Sequence, residues 1–260
     1  VSGGDFLNLL KKENYTFGGA GLSGNAVRNM PRTSATTILS FKYRDGLLVA
    51  GDRRATAGMT VMHDRADKVI DIDRHSVMAI AGSPATAFEM ARVLAHSFKY
   101  YRRSQLQDLS LEGKVRALSR LLKENIPMAM QGVGAVAPIY AAFDPKTAER
   151  RIYFYDMLGA EFEVVDFATS GSGSPGIRGV LHYHNRWNTS TVSELNEEEA
   201  VVLAMRLLET AAEFDVATGG VKEKAKVFPI VKTINAAGVR EIPFDRLTTL
   251  YTEKVDVPHV

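Results

Sequence analysis

From Thr37 to Tyr43 the chain alternates with a period of two, with Thr37, Leu39, Phe41 and Tyr43 on one face and Ile38, Ser40 and Lys42 on the other. That is the spacing of an extended strand, whose successive side chains point to opposite faces. Asp45-Gly46 is a hairpin-type turn, and residues 46–52 read as the returning strand. Residues 68–72 and 75–81 supply two more candidate strands, the second closing at Gly82-Ser83-Pro84. The period then shifts to three and four. Phe88, Ala91, Leu94, Phe98 and Tyr101 form one helical stripe, and Val115, Leu118 and Leu122 a second that Pro127 helps to stop.

Strands are expected again over residues 133–143, 151–155 and 162–168, separated by Asp144-Pro145-Lys146-Thr147 and Leu158-Gly159-Ala160. A Gly-Ser segment, Ser170 to Ser174, leads into a short helix over 177–184. A long helix over 197–214 opens on Asn196 and Glu199, spaced as a capping box. A strand over 227–234 and a helix over 244–253 complete the order. Runs of strands separated by helix pairs do not fit the β-α alternation of a doubly wound sheet. They fit an α+β fold of two stacked sheets with helices on the outer faces, a four-layer αββα sandwich.

Residues 1–35 differ. Phe6, Leu7, Leu9 and Leu10 make one short apolar cluster, a helical turn or two that docks on some surface. The stretch 11–35 carries glycines, Pro31 and several Asn and Ser with little periodicity, a composition that buries little apolar surface against its ordering entropy. Because it ends directly before Thr36, we read residues 1–35 as a removable propeptide and 36–260 as one domain.

Composition narrows the function. With 45% hydrophobic and 24% charged residues the chain is of ordinary globular type, and a net charge of +2 argues for neither nucleic acid nor a membrane surface. There is no cysteine, which removes thiolate catalysis and suits a reducing compartment, so the expected location is cytoplasmic. The apolar runs fall short of the roughly 18 residues of a membrane helix. His182 and His184 lie two apart, on different helix faces, and no histidine joins a carboxylate cluster, so no metal and no other cofactor is expected. The Gly-Ser segment is neither a nucleotide P-loop nor a Gly-x-Ser-x-Gly elbow.

The remaining chemistry converges on Thr36. A threonine hydroxyl is a weak nucleophile without a base beside it, and an α-amino group freed on the same residue is such a base. Its unperturbed pKa of about 7.7–8.0 leaves it partly unprotonated near neutral pH. Asp52, Arg54 and Lys68 form either an ordinary surface ion network or the charge partners of this nucleophile.

Six separated motifs carry a resemblance: Thr36-Thr37-Ile38, Gly51-Asp52-Arg53-Arg54, Lys68-Val69, Ala81-Gly82, Gly171-Ser172-Gly173-Ser174 and Asp215-Val216-Ala217-Thr218-Gly219-Gly220. In that order and spacing, from Thr36 to about Thr252, the chain resembles a bacterial 20S proteasome β subunit of the actinobacterial kind. The resemblance implies the N-terminal-nucleophile hydrolase fold and threonine endopeptidase activity. It makes Thr36 the nucleophile, Lys68 and Asp52 its charge partners, and Arg54 the support of that pair. Ser172 and Asp215 fall where residues hydrogen-bond around the α-amine, and Thr218 where the family has Ser or Thr. The Gly82 amide matches the oxyanion donor. Thr56 matches a residue whose backbone pairs with an extended peptide, and Ala55, Ala66, Ile70 and Ile80 match positions lining the pocket for the residue before the cut, implying cleavage after apolar residues.

It further implies self-cleavage between Ala35 and Thr36, although the family usually carries Gly at the position of Ala35. The implied partners are α subunits, further β subunits in a homo-heptameric ring of an α7β7β7α7 particle, a ring-shaped ATPase, and unfolded protein substrates. Two rivals stay open. The 35 residues before Thr36 and the Arg53-Arg54 pair argue against the related two-component bacterial peptidase with six-membered rings. Intact Thr36, Asp52 and Lys68 argue against a catalytically silent assembly subunit.

Overall fold

Strand β1 (Thr37–Tyr43) is buried on both faces, and this one fact sets the layering. The computed structural model describes residues 5–13, 15, 36–57, 60–131 and 134–256. On one side of β1, Leu39, Phe41 and Tyr43 pack with Ile177, Leu181, Val201, Met205 and Leu208 from two helices. On its other side, Ile38 joins Val69, Val77, Ile139 and Ile152 of a second sheet. The far face of that second sheet, through Met78 and Tyr140, meets Met90, Leu94, Leu118 and Leu122 of another helix pair. Three apolar interfaces require four layers, helix, sheet, sheet, helix, as the alternation of strand runs and helix pairs predicts.

The first sheet contains β1, β2 (Gly46–Gly51), β10 (Phe167–Gly171), β11 (Ile230–Asn235) and β12 (Gly238–Glu241), in the order β10-β1-β2-β11-β12. The second contains β5 (Val69–Asp73), β6 (Ser76–Ala79), β7 (Ile139–Asp144), β8 (Glu149–Tyr155) and β9 (Glu161–Val164), in sequence order. All described pairings within both sheets are antiparallel. Helices α2 (Pro84–Gln105) and α3 (Leu111–Glu124) cover the second sheet, and α5 (Ser174–Trp187) and α6 (Glu197–Phe214) the first. The predicted capping box at the start of α6 is present, with Asn196 accepting from the Glu199 N–H and Glu199 accepting from the Asn196 N–H.

Five elements differ from expectation. Helix α3 ends at Glu124, and Pro127 stands two residues past its C-cap, Asn125. A short helix that was not expected, α4 (Ile126–Met130), follows with Pro127 in its first turn, where its missing N–H costs nothing. Within the expected strand 133–143, the regular strand starts only at Ile139, and Val136 makes an isolated bridge to Gly82. The expected strand 162–168 is divided between two strands, β9 and β10, which belong to different sheets. A separate hairpin of β3 (Ala55–Ala57) and β4 (Thr60–His63) stands outside both sheets. The last helix, α7 (Phe244–Leu250), continues as a π-helical turn to Val255.

The apolar cluster near the N-terminus does form a helix, α1 (Phe6–Lys12), capped by Asp5. Leu7 joins the apolar cluster of α2 and α3, Phe6 lies 5.5 Å from the Tyr100 ring, and Asp5 and Lys11 pair with Arg120 and Glu124. The predicted boundary at Ala35 lies outside the described residues.

Candidate active site

Asp52 follows directly on β2 and is fully buried. A carboxylate removed from water is costly unless both oxygens are paired. Here each accepts twice. Oδ1 takes the Thr37 N–H at 2.9 Å and Lys68 Nζ at 2.7 Å, and Oδ2 takes the Arg54 N–H at 2.8 Å and the Gly219 N–H at 2.9 Å. Four donors saturate the carboxylate and tie together the start of β1, the end of β2, the residue before β5 and the loop after α6.

Lys68 is likewise buried. Its ammonium bonds Asp52 and the Arg54 carbonyl, so two of its three N–H donors are taken among the described residues. Burial lowers its pKa, against which the Asp52 charge works. The pairing of the Ile80 N–H with the Lys68 carbonyl at 2.9 Å fixes its backbone beside the end of β6. The surface-network reading of Asp52 and Lys68 therefore fails on burial, since surface pairs of this kind are exposed.

Thr36 sits at the same convergence. Its carbonyl accepts the Ser172 N–H at 2.9 Å, and the next N–H, that of Thr37, shares Asp52 Oδ1 with Lys68. Gly171, at φ +96°, faces this carbonyl so closely that a Cβ there would lie 1.8 Å from the Thr36 oxygen. Thr36 is buried at 5% exposure in the uncut chain. In that chain its nitrogen is an amide and holds no basic lone pair.

Beside it runs a directed hydrogen-bond chain. Gly173 N–H donates to Thr37 Oγ1 at 3.1 Å, Thr37 and Thr218 hydroxyls meet at 2.5 Å, and Thr218 donates to Asp215 Oδ2 at 2.6 Å. Because Thr218 has one hydroxyl proton and spends it on Asp215, Thr37 is the donor to Thr218. Ser172 Oγ donates to the same Asp215 oxygen at 2.5 Å. Ser172, Asp215 and Thr218 are thus brought together as expected, and Thr37 belongs with them. Sequence reasoning placed Thr37 only on a strand face; a threonine on the face otherwise made of Leu39, Phe41 and Tyr43 was the available signal.

Arg54 supports the Asp52–Lys68 pair through its backbone, N–H to Asp52 and carbonyl to Lys68. Its guanidinium works elsewhere, donating to the Val216 and Thr218 carbonyls at 2.8 and 3.1 Å and reaching Asp64 at 3.4 Å. Neither Asp64 nor its second partner, Lys222, stood out in the sequence.

Gly82 has φ +108°, in the region that favours glycine. The flanking bonds run from Ser83 N–H to the Ala135 carbonyl and from Ala137 N–H to the Ala81 carbonyl. Gly82 is therefore the non-hydrogen-bonded partner of Val136, and its own N–H points away from that ladder. Thr56 is buried at the centre of β3, a strand paired on one side only, to β4. Ala55 and Ala66 are half-buried at the two feet of this hairpin, while Ile70 and Ile80 belong to the apolar layer under α2. Among the described residues no group of three or more His, Cys, Asp or Glu could hold a metal, and no helix is long and apolar enough to cross a membrane.

The arrangement offers a hydroxyl, a buried cation, an outward N–H and an open strand edge, the parts needed for acyl transfer on an extended peptide. The family model described as proteasome subunit matches residues 33–227. The chain is 39% identical over 220 residues to proteasome subunit beta 2 of Thermomonospora curvata, covering 85% of this chain and 76% of that one. It is 36% identical over 218 residues to proteasome subunit beta of Acidimicrobium ferrooxidans, covering 84% and 77%. To that of Streptomyces griseus it is 36% identical over 207 residues, covering 80% and 71%.

Proposed function

The chain belongs to the proteasome subunit family, and on that premise we propose that it is a threonine endopeptidase of β type whose nucleophile is Thr36. The observation that carries this reading is the convergence of the Thr36–Thr37 peptide and the Lys68 ammonium on one buried carboxylate, Asp52. Cleavage between Ala35 and Thr36 would turn the Thr36 amide into an α-amine. That amine takes the Oγ proton as the oxygen attacks a peptide carbonyl, and returns it to the leaving amine. The acyl-enzyme is then hydrolysed by water through the same amine. Lys68 favours the unprotonated amine electrostatically, Asp52 and the Arg54 backbone hold Lys68, and the Ser172–Asp215–Thr218 group, with Thr37, orients the amine.

The Gly82 N–H is the donor to the developing oxyanion, a preorganised dipole of the kind that dominates such reactions. Substrate lies along the free edge of β3 and pairs with Thr56. Ala55, Ala66, Ile70 and Ile80 present only apolar side chains, so cleavage after apolar residues is the preferred outcome. Residues 1–35 act as the propeptide, and residues 36–260 as the working domain. The particle is α7β7β7α7, fed with unfolded protein by a ring-shaped ATPase in the cytoplasm, with no cofactor.

The experiment is intact mass and N-terminal sequencing of the chain purified with its α subunits, followed by labelling with a threonine-directed covalent inhibitor. A chain beginning at Thr36 that labels once supports the reading. A chain retaining residues 1–35 in assembled particles, without label, identifies a silent subunit. Thr36→Ala is expected to abolish both cleavage and label.

A further inference from the structure

Apart from the buried Thr56, the β3–β4 hairpin has little of its own to hold it in place. All four residues of β4 are exposed, Val61 and Met62 among them, and the pair is a sheet of two strands. A two-stranded hairpin without a covered apolar face is marginal in water. Its position therefore depends on its two feet. Arg54 is the residue before β3, and Asp64 the residue after β4.

Both feet reach the same loop. The Arg54 guanidinium donates to the carbonyls of Val216 and Thr218, and its Nε faces Asp64 Oδ1 at 3.4 Å. Asp64 Oδ2 accepts from Lys222 Nζ at 2.6 Å. One residue on, Arg65 donates to the Ala225 carbonyl at 2.7 Å, and the Ala66 N–H donates to the Arg53 carbonyl at 2.9 Å. The loop so gripped carries Asp215 and Thr218 at one end.

We propose that Asp64 is a positioning residue, whose carboxylate between Arg54 and Lys222 locks the β3–β4 hairpin to the loop carrying Asp215 and Thr218. The proposal rests on the reading of β3 as the substrate-binding edge. An isolated surface pair such as Asp64–Lys222 contributes little on its own. Here the pair closes a bracket across a hairpin that has no core, so its loss is read in the hairpin's position more than in global stability. A loosened edge weakens substrate pairing while leaving the bonds of Asp52 to the Thr37 N–H and to Lys68 untouched.

The test uses assembled particles carrying Asp64→Asn, Asp64→Glu or Lys222→Gln. First, amide hydrogen exchange of peptides spanning residues 55–66 is expected to rise about tenfold in Asp64→Asn and Lys222→Gln, with partial restoration in Asp64→Glu. Second, KM for substrates long enough to pair along β3 is expected to rise about five- to tenfold, with kcat within about twofold of wild type. Third, the rate at which a small covalent inhibitor labels Thr36 is expected to stay unchanged. Unaltered exchange over 55–66 in Asp64→Asn overturns the proposal, as does a fall in kcat and labelling without a change in KM. If the wild type does not label, the peptidase reading falls, and the exchange experiment still decides whether Asp64 holds the hairpin.

Discussion

Asp52 is the residue on which the site is balanced. An asparagine in its place would keep one acceptor oxygen and turn an NH2 group toward two of the four donors. Lys68 would then be a buried cation without the carboxylate it is bonded to, left with only the weaker field of Asp215. Removing one partner of a buried pair costs about 3–5 kcal/mol, because the survivor stays desolvated. Asp52→Asn is therefore expected to lower stability by that order in urea unfolding, and to slow labelling of Thr36 by at least about a hundredfold. Asp64 gives a different signature. The Lys222 hydrogen bond, foremost, holds its carboxyl below the ordinary 3.8. A folded-state value below the unfolded one gives stability that is present above pH 3.8 and lost as pH falls through the depressed value. The thermal midpoint of Asp64→Asn should thus lie a degree or two (about 2 °C) below wild type near neutral pH, and the gap should close on acidification below 3.8. Thr36, Asp52 and Lys68 were legible in sequence because each sits at the edge of a strand whose period is plain. Asp64 and Lys222 were not, since they are 158 residues apart and their tie exists only after folding.

At the scale of elements, legibility followed burial. The strands and helices with a covered apolar face, β1, β2, α2, α3 and α6, announce themselves by period. The β3–β4 hairpin buries only Thr56 and exposes all of β4, too little to impose alternation, and its sequence reads as a connection. Residues 162–168 read as one strand, yet the chain crosses between sheets there, because period reports a face and carries no information about which sheet owns it. The turn at Gly82 shows what an irregular element adds. A Cβ there would lie 2.1 Å from the Ala135 carbonyl oxygen, at a φ of +108° that L side chains avoid. Gly82→Ala must shift the segment and with it the outward N–H. A lost oxyanion donor lowers kcat about a hundred- to a thousandfold, so kcat should fall by that order while KM moves little. Equal losses in labelling by an inhibitor that does not engage this N–H would instead point to a collapsed site.

Across the whole molecule, each contact named above as building the site, among the described residues, comes from residue 36 or later. Asp52, Lys68, Ser172, Asp215, Thr218 and the Gly219 N–H join four segments of the two-sheet core. Helix α1 touches a different part of the surface: it lies on α2 and α3, adding Leu7 to the outermost apolar layer and ion pairs to Arg120 and Glu124. Helix α1 thus contributes stability to the uncut chain in a different layer from the one that holds Asp52 and Lys68. A chain expressed to begin at Thr36, with the preceding residue removed by a processing enzyme, should then carry a competent site without ever having had residues 1–35. Its labelling rate in assembled particles should match that of self-processed particles within about twofold, since the acyl-transfer groups are the same. Its thermal midpoint before assembly should fall below that of the uncut Thr36→Ala chain, because burying one leucine is worth about 1.5–3 kcal/mol. Labelling more than tenfold slower would mean that the pre-segment shapes the site as well as the surface, and would move it from a docked cover to a template for folding.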